Sequence, residues 1–148
     1  MKKNNKGFTL VELLAVIVIL SIIMVIAVMS INELINTSRA KAFNETMNIV
    51  VANAKVLFSE GELPLVEEEL LEATDFNEKE YNLYVEYENK DGDEYVVMRL
   101  FAEGKFKSVK WEDIDTKDLN PKYHYGYTEG HNVPYIYTTI YSNGVINK

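Results

Sequence analysis

The sequence predicts an α+β protein: one long N-terminal α-helix, apolar all round in its first half and amphipathic in its second, packed on a small antiparallel β-sheet head. Three observations carry this. From Phe8 to Ile31 the only clearly polar residues are Thr9, Glu12, Ser21 and Ser30. From Phe43 to Phe58 apolar residues recur at spacings of three and four, the stripe of a helix with one buried face. Beyond Tyr81 the pattern becomes an alternation of period two, the mark of half-buried strands.

The chain has 148 residues, a formal charge of −8 and no cysteine. Lys2, Lys3 and Lys6 precede the apolar run with no acid among them, so the remainder is more acidic than the whole. Such a balance argues against wrapping nucleic acid, where phosphate contacts come mainly from Lys and Arg. The local patch of Lys105, Lys107 and Lys110 does not change that expectation, and no nucleic-acid partner is expected. Without cysteine, thiol catalysis and Cys-ligated metals are excluded, and the head must be held by core packing or by assembly with neighbours.

A helix over residues 8–31 is about 36 Å long at about 1.5 Å per residue, enough to cross the roughly 30 Å hydrocarbon core of a membrane. Three readings of this segment compete. A secretory signal peptide has a shorter apolar core and a small-residue cleavage site after it, and Val28-Met29-Ser30-Ile31 offers no A-x-A. A plain signal anchor fits the length, with the lysines holding the N-terminus in the cytoplasm, but leaves Glu12 unexplained. A carboxylate so placed costs roughly 2.5 to 3.5 kcal/mol on insertion scales. The third reading puts processing before the apolar run, at Gly7-Phe8.

The stretch K-G-F-T-L-V-E-L-L-A-V-I-V-I-L, from Lys6 to Leu20, closely resembles the class III signal sequence of type IV prepilins and of the related pseudopilins. The resemblance implies a leader at residues 1–7, cleavage between Gly7 and Phe8 by a prepilin peptidase, and N-methylation of Phe8. It also implies that residues 8–31 form a transmembrane and polymerisation helix. Glu12 matches the glutamate the family uses in assembly, pairing with the new Phe8 ammonium of a neighbouring subunit. Thr9-Leu10-Val11-Glu12 is in addition a capping box, in which hydroxyl and carboxylate exchange bonds with each other's amides. Capping and the helix dipole, worth about 0.3 to 1 kcal/mol, make the charge tolerable without removing its cost in hydrocarbon. In a bundle core an unpaired charge costs roughly 3 to 5 kcal/mol, so Glu12 can act as a key for axial register.

The implied function is a structural subunit of a type IV pilus serving surface adhesion, motility or related functions. The implied partners are copies of the chain in a helical filament, other pilins, the prepilin peptidase and the pilus assembly machinery. The chain is expected in the cytoplasmic membrane before assembly, single-pass with its N-terminus inside, and in an extracellular filament afterwards. Two alternatives stay open: a pseudopilin of a type II-like secretion or DNA-uptake system, and a signal-anchored extracellular binding protein that never polymerises.

Residues 32–60 continue the helix as an amphipathic half whose head-packing face is Phe43, Met47, Val50, Ala54 and Leu57, with Val51 and Phe58 beside it. Gly61 and Pro64 are stop signals, so the helix should end near Ser59 or Glu60. As one helix, residues 8–60 run to about 80 Å. Pilins commonly carry a proline late in the apolar run, where this chain has Met29. Asn36-Thr37-Ser38 is a weak substitute as a flexible point.

Residues 61–148 are expected to form the head. Pro64 suits the first position of a short helix over L-V-E-E-E-L-L-E-A. Strands are expected at Tyr81 to Glu88 and Val96 to Phe101, joined by Asp91-Gly92, a hairpin pair whose two central positions want positive φ. A third is expected around Phe106 to Trp111 and a last at Tyr135 to Tyr141, with the first three forming an antiparallel meander on the helix stripe.

Candidate sites in the head are weak. Asp113, Asp115 and Asp118 share one loop, and hard cations want clustered carboxylates; some pseudopilins bind calcium in this domain, but no EF-hand spacing is present. His124, Glu129 and His131 match no metal-ligand spacing, and their stretch reads equally well as an extended, hydrogen-bonded surface loop. Tyrosines here and at Tyr135-Ile136-Tyr137 suit subunit packing or adhesion, with core and sheet duty the expected use of most. There is no catalytic triad, phosphate loop or dinucleotide glycine pattern. No catalytic residue, metal or cofactor is expected, and the chain is not read as an enzyme.

Overall fold

A computed structural model of the chain describes residues 7–60, 70–71 and 79–146. It divides into two compact units, Met1–Ile35 and Asn36–Lys148. Helix α1 (Leu10–Glu60) is continuous through both. Every described side chain up to Ile35 is exposed, as an all-round apolar composition without a protein partner requires.

From Asn36 onward α1 buries Ala40, Phe43, Asn44, Met47, Val50, Val51, Ala54 and Phe58. Phe43 is the hub of an aromatic cluster, with ring centroids 5.4 Å from Tyr81, 5.6 Å from Trp111 and 6.1 Å from Phe106. Asn36-Thr37-Ser38 stays helical. Asn36 turns its side chain away from its own backbone: its amide donates to the Lys110 carbonyl at 3.2 Å and its oxygen accepts from the Lys110 amide at 3.0 Å.

Among the described residues the sheet has four antiparallel strands, β1 (Tyr81–Lys90), β2 (Asp93–Ala102), β3 (His124–Tyr127) and β4 (Pro134–Tyr141), in the order β1-β2-β4-β3. Asp91 at φ 56° and Gly92 at φ 88° form the β1–β2 turn, the two positive φ values that a tight hairpin of right-twisted strands demands. Leu83, Val96, Met98, Leu100, Ile136 and Ile140 alternate onto the buried face and complete the core with the α1 stripe. The other face carries a cross-sheet row of Tyr84, Arg99, Tyr137 and His124.

Two sequence expectations are corrected. Phe106 to Trp111 is not a strand: Gly104–Ser108 and Trp111–Asp113 are 3₁₀ turns. The buried residues there are Phe106 and Val109, then Trp111 and Ile114, pairs three apart that superpose at three residues per turn and would fall on opposite faces of a strand. Gly104 permits the entry at φ 49°, where an added Cβ would lie 2.8 Å from the Lys79 carbonyl oxygen. The meander also fails after β2, because β4 inserts between β2 and the edge strand β3. That edge strand is the stretch expected as a surface loop, and Tyr125 and Tyr127, with Tyr123 just before the strand, supply a period of two. The short helix expected after Pro64 lies outside the described residues except for Leu70 and Leu71, which are helical, with Leu70 fully buried.

Candidate processing and assembly site

The N-terminal site is built on the first turn of α1. Thr9 is its cap: the Thr9 amide and hydroxyl both donate to Glu12 Oε2 at 2.8 Å, and the Glu12 amide donates back to Thr9 Oγ1 at 3.2 Å. The Leu13 amide reaches the Thr9 carbonyl at 3.1 Å. The capping box therefore satisfies the helix start and fixes the carboxylate on one oxygen. Glu12 Oε1 makes no bond among the described residues, and Phe8 is 82% exposed. Gly7 has open space around it, with nothing within 4 Å of where a Cβ would stand. The peptide bond between Gly7 and Phe8 is thus reachable and unencumbered.

Along the apolar run the remaining polar side chains look inward to their own helix. Ser21 donates to the Ile17 carbonyl at 2.7 Å and Ser30 to the Ile26 carbonyl at 3.3 Å, so neither hydroxyl needs water. Glu12 is the one formally charged residue between Leu10 and Asn32, in a helix long and apolar enough to cross a membrane.

A family model described as the prokaryotic N-terminal methylation motif matches residues 2–28. This is a type IV pilin-like N-terminus. The motif marks the pilin-like chain as a substrate of prepilin-peptidase processing and of a pilin assembly system, and with the apolar helix it marks a membrane anchor. No curated protein and no solved structure matches the chain. The head of this pilin-like chain lies outside the matched residues.

In the head, Phe43, Met47, Val50 and Ala54 are fully buried, and Leu57 is partly buried against the same core. Sequence reasoning missed the polar lock beside them. Tyr125 Oη donates to Asn44 Oδ1 at 2.6 Å, while Asn48 Oδ1 accepts from Tyr123 Oη at 2.8 Å and from the Asn120 side-chain amide at 3.2 Å. Burial pushes the hydroxyls of Tyr123 and Tyr125 up to about 12. The only sequence signal for this lock is that Asn44 and Asn48 stand one helical turn apart on the flank of the apolar stripe.

Tyr127 continues the pattern, donating to Glu112 at 2.5 Å and accepting the Trp111 amide at 2.7 Å. That hydroxyl, more than the nearby Lys110, holds the Glu112 carboxyl below its usual range. Asp113, Asp115 and Asp118 do not converge: Asp115 accepts the Lys117 amide at 3.0 Å, and Asp118 pairs with Lys41 at 3.0 Å. His124 stacks on Tyr137 at 4.6 Å, and His131 is exposed in the β3–β4 loop. Among the described residues no three His, Asp or Glu side chains are grouped as metal ligands.

Proposed function

We propose that this chain is a structural subunit of a type IV pilus, cut after Gly7, N-methylated on Phe8 and polymerised through the apolar part of α1. The observation that carries the reading is Glu12, held by Thr9 through one carboxylate oxygen and left with the other unbonded at the start of an apolar helix. Cleavage creates an ammonium on Phe8. The free oxygen of Glu12 in one subunit then supplies the counter-charge for that ammonium in the next, so that wrong axial registers strand two charges in a low-dielectric bundle. The capping box keeps the carboxylate tolerable in the membrane before this partner arrives. The role is structural and not catalytic.

N-terminal mass spectrometry of the mature protein tests the processing: the expected species begins with N-methyl-Phe8, and an intact Met1 or Lys2 start contradicts it. Glu12→Leu tests the assembly step. The variant should be processed and stay in the membrane fraction while sheared filaments disappear, and normal filaments would overturn the pairing. A wild-type chain recovered only with a secretion or DNA-uptake complex, and not in pilus filaments, assigns it to the pseudopilins instead.

A further inference from the structure

Five of the ten tyrosines in the chain stand on the face of the sheet turned away from α1. The strand register sets Tyr84, Arg99, Tyr137 and His124 in one cross-strand row, Phe101 beside Tyr135 in the next row, and Tyr95 beside Tyr141 nearer the β1–β2 turn. None of these rings is buried, and Tyr84 is 49% exposed. From the strand rise and spacing, the set covers roughly 20 Å along β2 and roughly 14 Å across the four strands. Rings and one arginine, with no lysine among them, are the composition of a recognition surface rather than of ordinary solvated sheet.

The rings brace one another. Tyr135 has its centroid 5.8 Å from Phe101 and 6.2 Å from Tyr137, and its ring occupies the space that a side chain at Gly126 would fill. His124 stacks on Tyr137 at 4.6 Å, and Tyr95 leans on Tyr141 at 5.5 Å. Tyrosine gives broad, rigid contact area at a low entropic cost, and rings already held lose less still on binding. The charges between the rings are matched within the face. Arg99 lies over the Tyr84 ring and pairs with Glu86 at 3.4 Å, and Tyr95 Oη donates to Glu88. The hydroxyls of Tyr84, Tyr135 and Tyr137 make no hydrogen bond among the described residues.

We propose that this face binds an uncharged polysaccharide whose equatorial linkages keep the chain flat, laid across the rings of Tyr84, Tyr135 and Tyr137. Such a ligand matches both properties of the surface: the C–H faces of its sugar rings pack on the aromatic faces, and its hydroxyls pair with the unbonded tyrosine hydroxyls. Charge decides against the other flat polymer that stacks on an aromatic sheet. Single-stranded nucleic acid needs cations along its backbone, and Arg99 is already paired with Glu86. A dry interface with a second copy would bury three tyrosine hydroxyls at a cost unless each found a partner. The face lies wholly within the second unit, so glycan binding needs no polymerisation, and its failure would leave the pilus reading untouched.

Calorimetry of the full chain in a sugar-free zwitterionic detergent tests this, with cellohexaose and chitohexaose as the titrants. At least one of the two should bind, with an affinity that high salt leaves unchanged, because screening acts only on charges. Tyr84→Ala with Tyr137→Ala should weaken binding about tenfold or more, the loss expected for two stacked rings. Tyr84→Phe with Tyr137→Phe keeps the ring faces and should lose clearly less. Absence of binding by both sugars overturns the proposal, as does an unchanged affinity in the alanine pair or an equal loss in the two pairs. Tighter binding of a thymidine dodecamer or of decaproline would assign the face to single-stranded nucleic acid or to a proline-rich peptide, and would overturn it as well.

Discussion

At the scale of single residues the helix stripe and the polar lock do different work. Phe43 fills the centre of the head, touching Tyr81, Phe106 and Trp111 at once. Truncating such a ring removes transfer energy and leaves a cavity that four elements cannot close together, so Phe43→Ala should cost about 3 to 5 kcal/mol. Leu57, partly exposed at the far end of the same stripe, should lose clearly less on truncation to alanine. Denaturant unfolding of the two variants separates them, and equal losses would contradict the central role of Phe43. The stripe was legible because a period of three and four needs only the helix itself. Asn44 and Asn48 were not: their partners Tyr123, Tyr125 and Asn120 lie more than 70 positions away, and only the placement of β3 brings them together.

At the scale of elements, the strands that sequence recovered are those whose alternation is bounded by a strong turn. Tyr81 to Lys90 and Asp93 to Ala102 meet across Asp91-Gly92, where φ is positive twice. The 3₁₀ stretch was misread because Phe106, Val109, Trp111 and Ile114 are apolar enough for a strand and too short a series to expose a period of three. Strand β3 was hidden by His124 and Gly126; the latter makes room for the Tyr135 ring, which an added Cβ would meet at 2.8 Å. Tyr125 of this element and Tyr123 just before it give a pH signature. Burial raises Tyr123 and Tyr125 from the ordinary 10 to about 12. Their contribution to stability is complete below the unfolded value near 10 and is lost as pH rises through the folded value. Unfolding free energy should therefore fall across pH 10 to 12, with delayed tyrosinate absorbance in the folded protein. Tyr125→Phe should lower stability at neutral pH and flatten that fall; an unchanged slope would show that other groups carry it.

At the scale of the whole molecule the sequence divides by solvent. Among the described residues the exposed apolar side chains of α1 up to Ile35 find no partner, and such a surface is covered by lipid or by other copies. All of the described core, from Ala40 to Ile140, belongs to the second unit, and its ties to α1 begin at Asn36. The core therefore does not depend on the apolar run for any buried contact. A chain started at Asn36 should be soluble and retain both the helical and the sheet signals in circular dichroism. It should unfold in one cooperative transition close to that of the intact protein in detergent. It should also fail to enter filaments or membranes, since Phe8, Glu12 and the apolar helix are gone. A truncated chain that aggregates, or melts without cooperativity, would mean that residues before Asn36 complete the fold, and would contradict the division into an assembly helix and a self-sufficient head.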